Sequence, residues 1–555
     1  MDQRCLDVLN TSDWGAILIK VPTQGAPKFF DHRSRAPITP SDLDAKDPCL
    51  AAKVRTLLTL FGDSQGPAIG RNAVAVLCRL PIPHQAAAYH YLVQPLGGTV
   101  EQAGARVEKA RAIFREEHRD SMRAIAASSG ADSRIPDEVV PIWQNFKRAY
   151  AQYKWVFHPA LVERVVAGEY DRIFPLTAEV HGTLNCTFRC TNCAYKFPKQ
   201  IICGSDGRTE WDCNHFSDPQ LHMANFAVMR RIIDRLVAGG TKALIFTGGG
   251  EPMLSKYTVP GMRYAKDKGL DIILYSNGSA FTEDAAAEIC SISPNLVRIS
   301  LNAGTDQTHR DFHQYVTTNA RHFPRVLRAI EAFACGRLKQ PKLRFGVGVV
   351  VNTINAGSLP EVAYRLREIV LRTGGGIDFV TFRPEFEYYG GPQIVPQIVN
   401  DAMRTIQTEV RQILAGTGIE LFSLPLRVEA LGAARAYDRC RANHVFGEVG
   451  PDGRMFLCCE RHFLPGYEIG DLMTEPVDAI WSSARKSRVV AAVDRILGGS
   501  VPAPGMLQCP PACKPHPLNV LFAQIEMLRD RGRLSEIKQW VGLLRRLPEP
   551  PDLIV

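Results

Sequence analysis

From about Phe174 onward the chain alternates between two textures. Short runs rich in β-branched and aliphatic residues recur at Leu176–Val180, Ala243–Thr247, Asp271–Tyr275, Leu296–Leu301, Leu343–Val351 and Ile377–Phe382. Each predicts a strand. Between and after them, at about 219–238, 258–268, 282–290, 319–337, 358–372 and 398–415, apolar residues return every three or four positions and predict helices. Strict strand–helix alternation implies an α/β fold, a parallel sheet with helices outside. Six units are too few for a complete eightfold barrel and suit an open, partial (β/α)6 TIM-like barrel, whose chemistry belongs at the C-terminal ends of the strands.

The flanking regions read differently. The first hundred residues are mixed, with proline joints at Pro81-Ile82-Pro83 and Pro95. Helical patterns follow at about Val100–Ala127 and, after a Ser-Ser-Gly-Ala-Asp-Ser break, Pro141–Val166, so the N-terminal region is expected to be mostly helical. Beyond about 425 comes a cysteine-bearing stretch, then a polar, helical tail. The expected domains are 1–170, of unassigned role; 171–424, the partial barrel; 425–520, a small cysteine domain; and 521–555, the tail.

Composition narrows the class. With 555 residues, 45% hydrophobic and 22% charged, the chain is globular in character and too long for one ordinary core. A net charge of +9 is modest at this length; it suits an acidic substrate or a nucleic acid but requires neither. The opening MDQRCLDVLNTSDWG lacks the basic head and apolar core of a secretion signal. Apolar runs such as Ala73–Leu80 fall far short of the ~20 residues that span a bilayer. A cytoplasmic protein without a membrane segment is expected.

Fifteen cysteines then stand out. Most fall in two groups, around 186–213 and 440–513, which points to metal or cluster ligation in a reducing compartment. The isolated Cys5, Cys49, Cys78, Cys290 and Cys335 read as small buried hydrophobes.

The first group follows the first strand: His181-Gly-Thr-Leu-Asn-Cys186-Thr-Phe-Arg-Cys190-Thr-Asn-Cys193-Ala-Tyr195-Lys196. Three thiolates at CX3CX2C spacing can converge on one inorganic object, and on a four-iron cubane they leave one iron open. A structural zinc site closed by Cys203, Cys213 or His215 is the alternative, since such sites want four ligands. The spacing and its place after the first strand resemble the radical S-adenosylmethionine (SAM) superfamily. That resemblance implies a [4Fe–4S] cluster on Cys186, Cys190 and Cys193, with SAM chelated to the open iron and cleaved by one electron to a 5′-deoxyadenosyl radical that takes a substrate hydrogen. The family commonly has an aromatic residue before the third cysteine, where this chain has Asn192; Tyr195 or Phe188 is expected to take over packing near the adenine.

Further features fall at successive strand ends. Thr247-Gly-Gly249-Gly250-Glu251-Pro252 resembles the family's GGE motif, whose glycines admit close backbone approach and whose carboxylate accepts from the SAM ammonium. Ser276 and Asn277 after the third strand, and Ser300 and Asn302 at the fourth, occupy positions that in the family contact the methionine carboxylate and ribose. Turn chemistry and capping explain the same residue types equally well. Gly346–Asn352 resembles the adenine-side strand.

In the second group, Cys440 precedes Val449-Gly-Pro-Asp-Gly453-Arg-Met-Phe-Leu-Cys458-Cys459, followed by Gly470–Trp481 and Cys509-Pro-Pro-Ala-Cys513. The hairpin with its Pro-Asp-Gly turn resembles SPASM and Twitch domains. Four cysteines, Cys440, Cys458, Cys509 and Cys513, suffice for one auxiliary [4Fe–4S] cluster of the smaller, Twitch-like kind. Cys459 competes with Cys458 for the role, and a zinc site on the same thiolates is the alternative.

Substrate chemistry is expected at the strand ends. Arg383 can hold an anion, and Glu385 or Tyr388 can handle a proton or relay a radical. The polar stretch Ala194–Asp218, with Lys196, Lys199, Cys203, Trp211, Cys213 and His215, is long enough to be functional. His309 and His313, one helical turn apart, are expected on the surface. The leading reading is a radical SAM oxidoreductase that oxidises, cross-links or epimerises a peptide or small natural product, fed by a flavodoxin or ferredoxin. An RNA substrate is a second reading, weakened by acids interspersed among the basic residues of 1–170. A zinc-stabilised binding protein without catalysis is a third.

Overall fold

The computed structural model describes residues 5–6, 17–20, 28–31, 37–38, 154–190, 193–195, 223–385, 396–423, 437–510, 513–535, 537–538 and 541. The chain divides into two compact units, Met1–Arg148 with Lys538–Pro550, and Ala149–Ile537 with Pro551–Val555. The second unit thus begins ahead of the expected boundary at 171.

In the first unit, β1 (Cys5–Leu6), β2 (Ile17–Lys20), β3 (Lys28–Asp31) and β4 (Pro37–Ile38) form an antiparallel meander in chain order. The helical stretch expected at Val100–Ala127 lies outside the described residues. So does the start of the one expected at Pro141–Val166, whose second half is the helix Pro159–Ala167 of the second unit.

The second unit is built on a ten-stranded sheet. Its strands are β5 (Thr177–His181), β6 (Ala243–Thr247), β7 (Asp271–Ser276), β8 (Leu296–Ser300), β9 (Arg344–Val351), β10 (Phe379–Pro384), β11 (Glu420–Ser423), β12 (Phe446–Val449), β13 (Arg454–Phe456) and β14 (Glu468–Asp471). Their order is β11-β10-β9-β8-β7-β6-β5-β12-β13-β14, and every pairing from β11 to β12 is parallel. The six strands read from the sequence are β5 to β10. β11 adds a seventh βα step that the pattern did not mark, because Glu420–Ser423 is short and half polar.

Alternation along the strands decides which face is covered. Ala178, Val180, Leu244, Phe246, Ile272, Leu274, Val297, Ile299, Val347, Val349, Val380 and Phe382 pack into one large core with the connecting helices. The opposite positions, Ala243, Ile245, Ile273, Tyr275, Leu296, Phe379 and Phe422, form a separate cluster. Among the described residues the helices pack on the first face, which is the mark of barrel-like winding, in contrast to a doubly wound sheet. The helices Phe226–Ala238, Glu283–Ile292 and Asp306–His313 start on Asn225, Thr282 and Thr305, whose side chains accept from the backbone N–H three residues on. Each such cap contributes about 1 kcal/mol.

The C-terminal hairpin extends the same sheet. β12 lies beside β5, with Glu448 in register with Glu179, and turns through Gly453 (φ 91°) into β13. The helix His516–Asp530 straddles the expected 520/521 boundary and folds back so that Phe522 meets Trp155 edge-on at 5.5 Å. Among the described residues no helix is long and apolar enough to cross a membrane.

Candidate active site

The loop leaving β5 carries Cys186, Cys190 and Cys193, all half-buried. Cys186 Sγ receives the Asn277 side-chain amide at 3.4 Å, and the backbone N–H of Phe188 also points at it. Burial pushes this thiol up to about 12, and the nearby Glu251 and Cys193 add to the shift. Cys190 Sγ lies 3.0 Å from His313 Nδ1. N–H donors converging on a buried sulfur that is costly to ionise alone are the environment of a ligated thiolate, so this donor set fits an iron–sulfur cluster.

The turn after β6 folds under tight constraint. A side chain at Gly250 would meet the Asn185 carbonyl oxygen at 1.9 Å, and one at Gly249 would strike Leu184, Phe463 and Tyr195. Glu251 N–H donates to that same Asn185 carbonyl at 2.7 Å, tying the turn to the cysteine loop. The Glu251 carboxylate is buried, accepting from Ser276 Oγ (2.6 Å) and Met253 N–H (3.1 Å) on one oxygen and from Asn277 N–H (2.7 Å) on the other. Burial raises its pKa to about 7 against these three bonds. Asn277 therefore joins the two motifs, its backbone on Glu251 and its side chain on Cys186.

The remaining expected residues are placed as follows. Ser276 is engaged with Glu251 and with Gly278 N–H. Ser300 ends β8, half-buried. Asn302 is buried with φ 57°, and its Oδ1 accepts from Val350 N–H at 2.8 Å, so it cross-links β8 to β9. Tyr195 packs on His462 (centroids 4.3 Å apart) and Phe463 (5.9 Å). Phe188 is enclosed by His309, His313, Tyr315 and His322. Arg383 lies near the end of β10 and Glu385 follows it, both half-buried. Asn192, Tyr388 and the stretch from Lys196 to Asp218, with Lys199, Cys203, Trp211, Cys213 and His215, lie outside the described residues.

Two expectations are overturned. Cys335, on the helix His322–Lys339, is exposed and not a buried hydrophobe. His309 and His313 are buried, at 0% and 1% exposure. The helix Asp306–His313 turns their face inward, His309 Nδ1 meets Tyr315 Oη at 2.6 Å, and His313 reaches Cys190. Burial accordingly lowers the pKa of His313 to about 3. The i, i+4 spacing was the visible signal; the sequence did not show which way that face points.

The second cysteine group also assembles. Cys440, Cys458, Cys509 and Cys513 come from three separate segments; Cys458 and Cys509 raise the pKa of Cys440, and Cys509 and Cys513 raise that of Cys458. Cys440 accepts from the Asn519 side-chain amide at 3.3 Å. Cys459 is buried, and its strongest charged neighbours are Lys514 and Glu179, ahead of Cys458. Four neighbouring thiols, Cys440 buried and the other three half-buried, fit a cationic centre, whether a cubane or zinc.

Four residues that the motifs did not flag also gather here: Glu179, His181, Glu448 and His462, all buried. Their one sequence signal is Glu-Val-His within an otherwise apolar, fully buried strand.

Residues 180–362 match the family model described as the Radical SAM superfamily. With the cysteine loop, the glycine turn and the parallel strands, residues 180–362 form a Radical SAM domain. The chain is 26% identical over 401 residues to dTDP-4-amino-4,6-dideoxy-D-glucose ammonia-lyase of Streptomyces venezuelae, covering 64% of this chain and 74% of that one. It is 21% identical over 337 residues to AdoMet-dependent heme synthase of Methanosarcina barkeri, covering 57% and 84%. Among solved structures it is similar to Streptococcus suis SuiB, at 10% identity and a TM-score of 0.42 over 86% of this chain and 89% of that one.

Proposed function

We propose that the protein is a radical SAM oxidoreductase in which Cys186, Cys190 and Cys193 hold the SAM-binding [4Fe–4S] cluster, and that Cys440, Cys458, Cys509 and Cys513 hold an auxiliary [4Fe–4S] cluster. Asn277 carries the reading: one residue donates both to a cluster thiol and to the buried carboxylate of the glycine turn, so the metal loop and the SAM-binding turn form one unit. When bound, the cluster and SAM together supply the radical that removes a substrate hydrogen atom. The chain's own groups do the rest. Glu251, fixed by three donors, presents a carboxylate to the SAM ammonium. Tyr195 covers the turn as an aromatic wall, while Ser300 and Asn302 edge the ribose side. Arg383 on the inner face can hold an anionic part of the substrate, with Glu385 or Tyr388 to handle a proton or relay a radical.

The substrate class proposed is a small natural product, in preference to a peptide, for oxidation or another hydrogen-abstraction outcome. The sequence relative that acts on a nucleotide-linked amino sugar supports this choice. A reduced flavodoxin or ferredoxin is the proposed electron donor. The test is anaerobic reconstitution, reduction with dithionite in the presence of SAM, and detection of 5′-deoxyadenosine by mass spectrometry. About eight irons per chain with matching sulfide are expected for two cubanes. Zinc without sulfide would restore the binding-protein reading.

A further inference from the structure

The inner face of β5 places Glu179 and His181 two residues apart, and β12 sets Glu448 beside Glu179. All three, with His462, are at most 3% exposed. His181 Nε2 lies 3.2 Å from Glu448 Oε1, which also contacts His462 Nδ1. Glu179 Oε1 lies 3.1 Å from Lys514 Nζ. The four ligand-type atoms fall within 4.8 Å of one another, a spacing open to a divalent ion as well as to a hydrogen-bonded network.

The direction of one hydrogen bond decides between these. Gly249 N–H lies 2.9 Å from His181 Nδ1, and a backbone N–H can only donate. Nδ1 is therefore the bare nitrogen. A neutral imidazole then carries its proton on Nε2, facing Glu448. A metal on Nε2 would require a ring stripped of both protons, and Lys514 already brings positive charge to Glu179. Burial holds the His181 pKa down, so the ring stays neutral.

We infer that His181 is a positioning residue for the SAM-binding turn, holding Gly249 by its amide, with Glu448 beside its Nε2 and His462 against Glu448. The inference rests on the SAM reading of that turn. It makes the C-terminal cysteine region part of the pocket. Glu448 comes from β12 and His462 from the segment after Cys458, while Phe463 blocks the space above Gly249.

The test uses the reconstituted holoprotein and SAM itself, read by the change in the reduced cluster's EPR spectrum on SAM addition. If the wild-type protein shows no change, the SAM reading fails and this inference with it. If wild type responds, His181→Ala is expected to weaken SAM binding by about fivefold, the effect of one buried hydrogen bond. His181→Asn, whose side-chain oxygen can replace Nδ1 as acceptor, should restore most of it. Glu448→Leu, which leaves the protonated Nε2 without a neighbouring oxygen, should weaken SAM binding in the same direction as His181→Ala, and Glu448→Gln should be milder because it keeps a polar side chain beside Nε2. Iron content and melting temperature separate misfolded variants from folded ones. SAM affinity unchanged in folded His181→Ala, no better in His181→Asn than in His181→Ala, or a bound divalent ion lost from Glu448→Gln, would each overturn the proposal.

Discussion

The two cysteine sites differ in how the chain assembles them. The first draws three thiols from one loop of eight residues, Cys186 to Cys193, at the end of a single strand. The second draws four from Cys440, Cys458 and the Cys509–Cys513 segment, and it comes together only after the hairpin and the following helices have folded. A local set can form early and leave a coordination position open; a dispersed set closes its centre completely and fastens distant segments to one another. The first is suited to binding and reacting, the second to tying and, as a cubane, to taking up an electron.

The largest expected difference follows directly. Replacing Cys186, Cys190 and Cys193 together by Ala should abolish 5′-deoxyadenosine formation while leaving the melting temperature nearly unchanged, because a loop is lost as a ligand set and no core contact is removed. Product persisting in the triple variant would remove these thiols from the chemistry. Replacing Cys509 and Cys513 by Ala should do the reverse. Bound iron should fall from about eight to about four per chain, and the melting temperature should drop, since binding energy at a dispersed site is folding energy. An unchanged melting temperature would show that the second site ties nothing together.

Within the second site, Cys458→Ala should lose the centre, whereas Cys459→Ala should retain it. Cys458 is coupled most strongly to Cys509, with Cys513 next among the thiols, whereas Cys459 is coupled most strongly to Lys514 and Glu179. Iron analysis of the two single variants distinguishes them, and equal loss from both would break the assignment.

The smallest effect is that of pH. His181 is held neutral by burial, with its pKa lowered from 6.5 to about 3, and His462 is displaced in the same direction. The unfolded chain then binds more protons than the folded one between those values. The stabilisation is complete above pH 6.5 and is lost as pH falls toward 3. Glu251, raised from 4.5 to about 7, acts with the opposite sign: its penalty is absent below pH 4.5 and grows until pH 7. Glu448, raised in the same direction as Glu251, adds to that opposing trend, so the histidine contribution is read as a difference: between pH 8 and 5 acid should lower the melting temperature less, or raise it more, in His181→Asn than in the wild type. Identical slopes in the two proteins would contradict the histidine account.

How much of this the sequence disclosed depended on locality. β5 to β10 and their helices were readable because period and length agree over each segment. The first cysteine loop was readable because its ligands are contiguous. The position of Glu448 beside Glu179 was not, since nothing in either strand states that the two become neighbours. His309 and His313 were misplaced for a related reason: a polar i, i+4 pair on a short helix looks the same whether it meets water or a buried Phe188. Asn277 and Asn302 read alike as strand-end amides. Only geometry separates the one that contacts Cys186 from the one that ties β8 to β9.

The parallel pairing of β12 with β5 has a consequence for biosynthesis. On the ribosome Thr177–His181 emerges long before Phe446–Val449, and until the latter arrives one border of β5 presents unpaired amides and carbonyls. Such late, long-range closure is slow and leaves a nascent chain prone to association with others. Recombinant yield should thus respond to chaperone supply and growth temperature, and chains truncated before residue 446 should accumulate in the insoluble fraction.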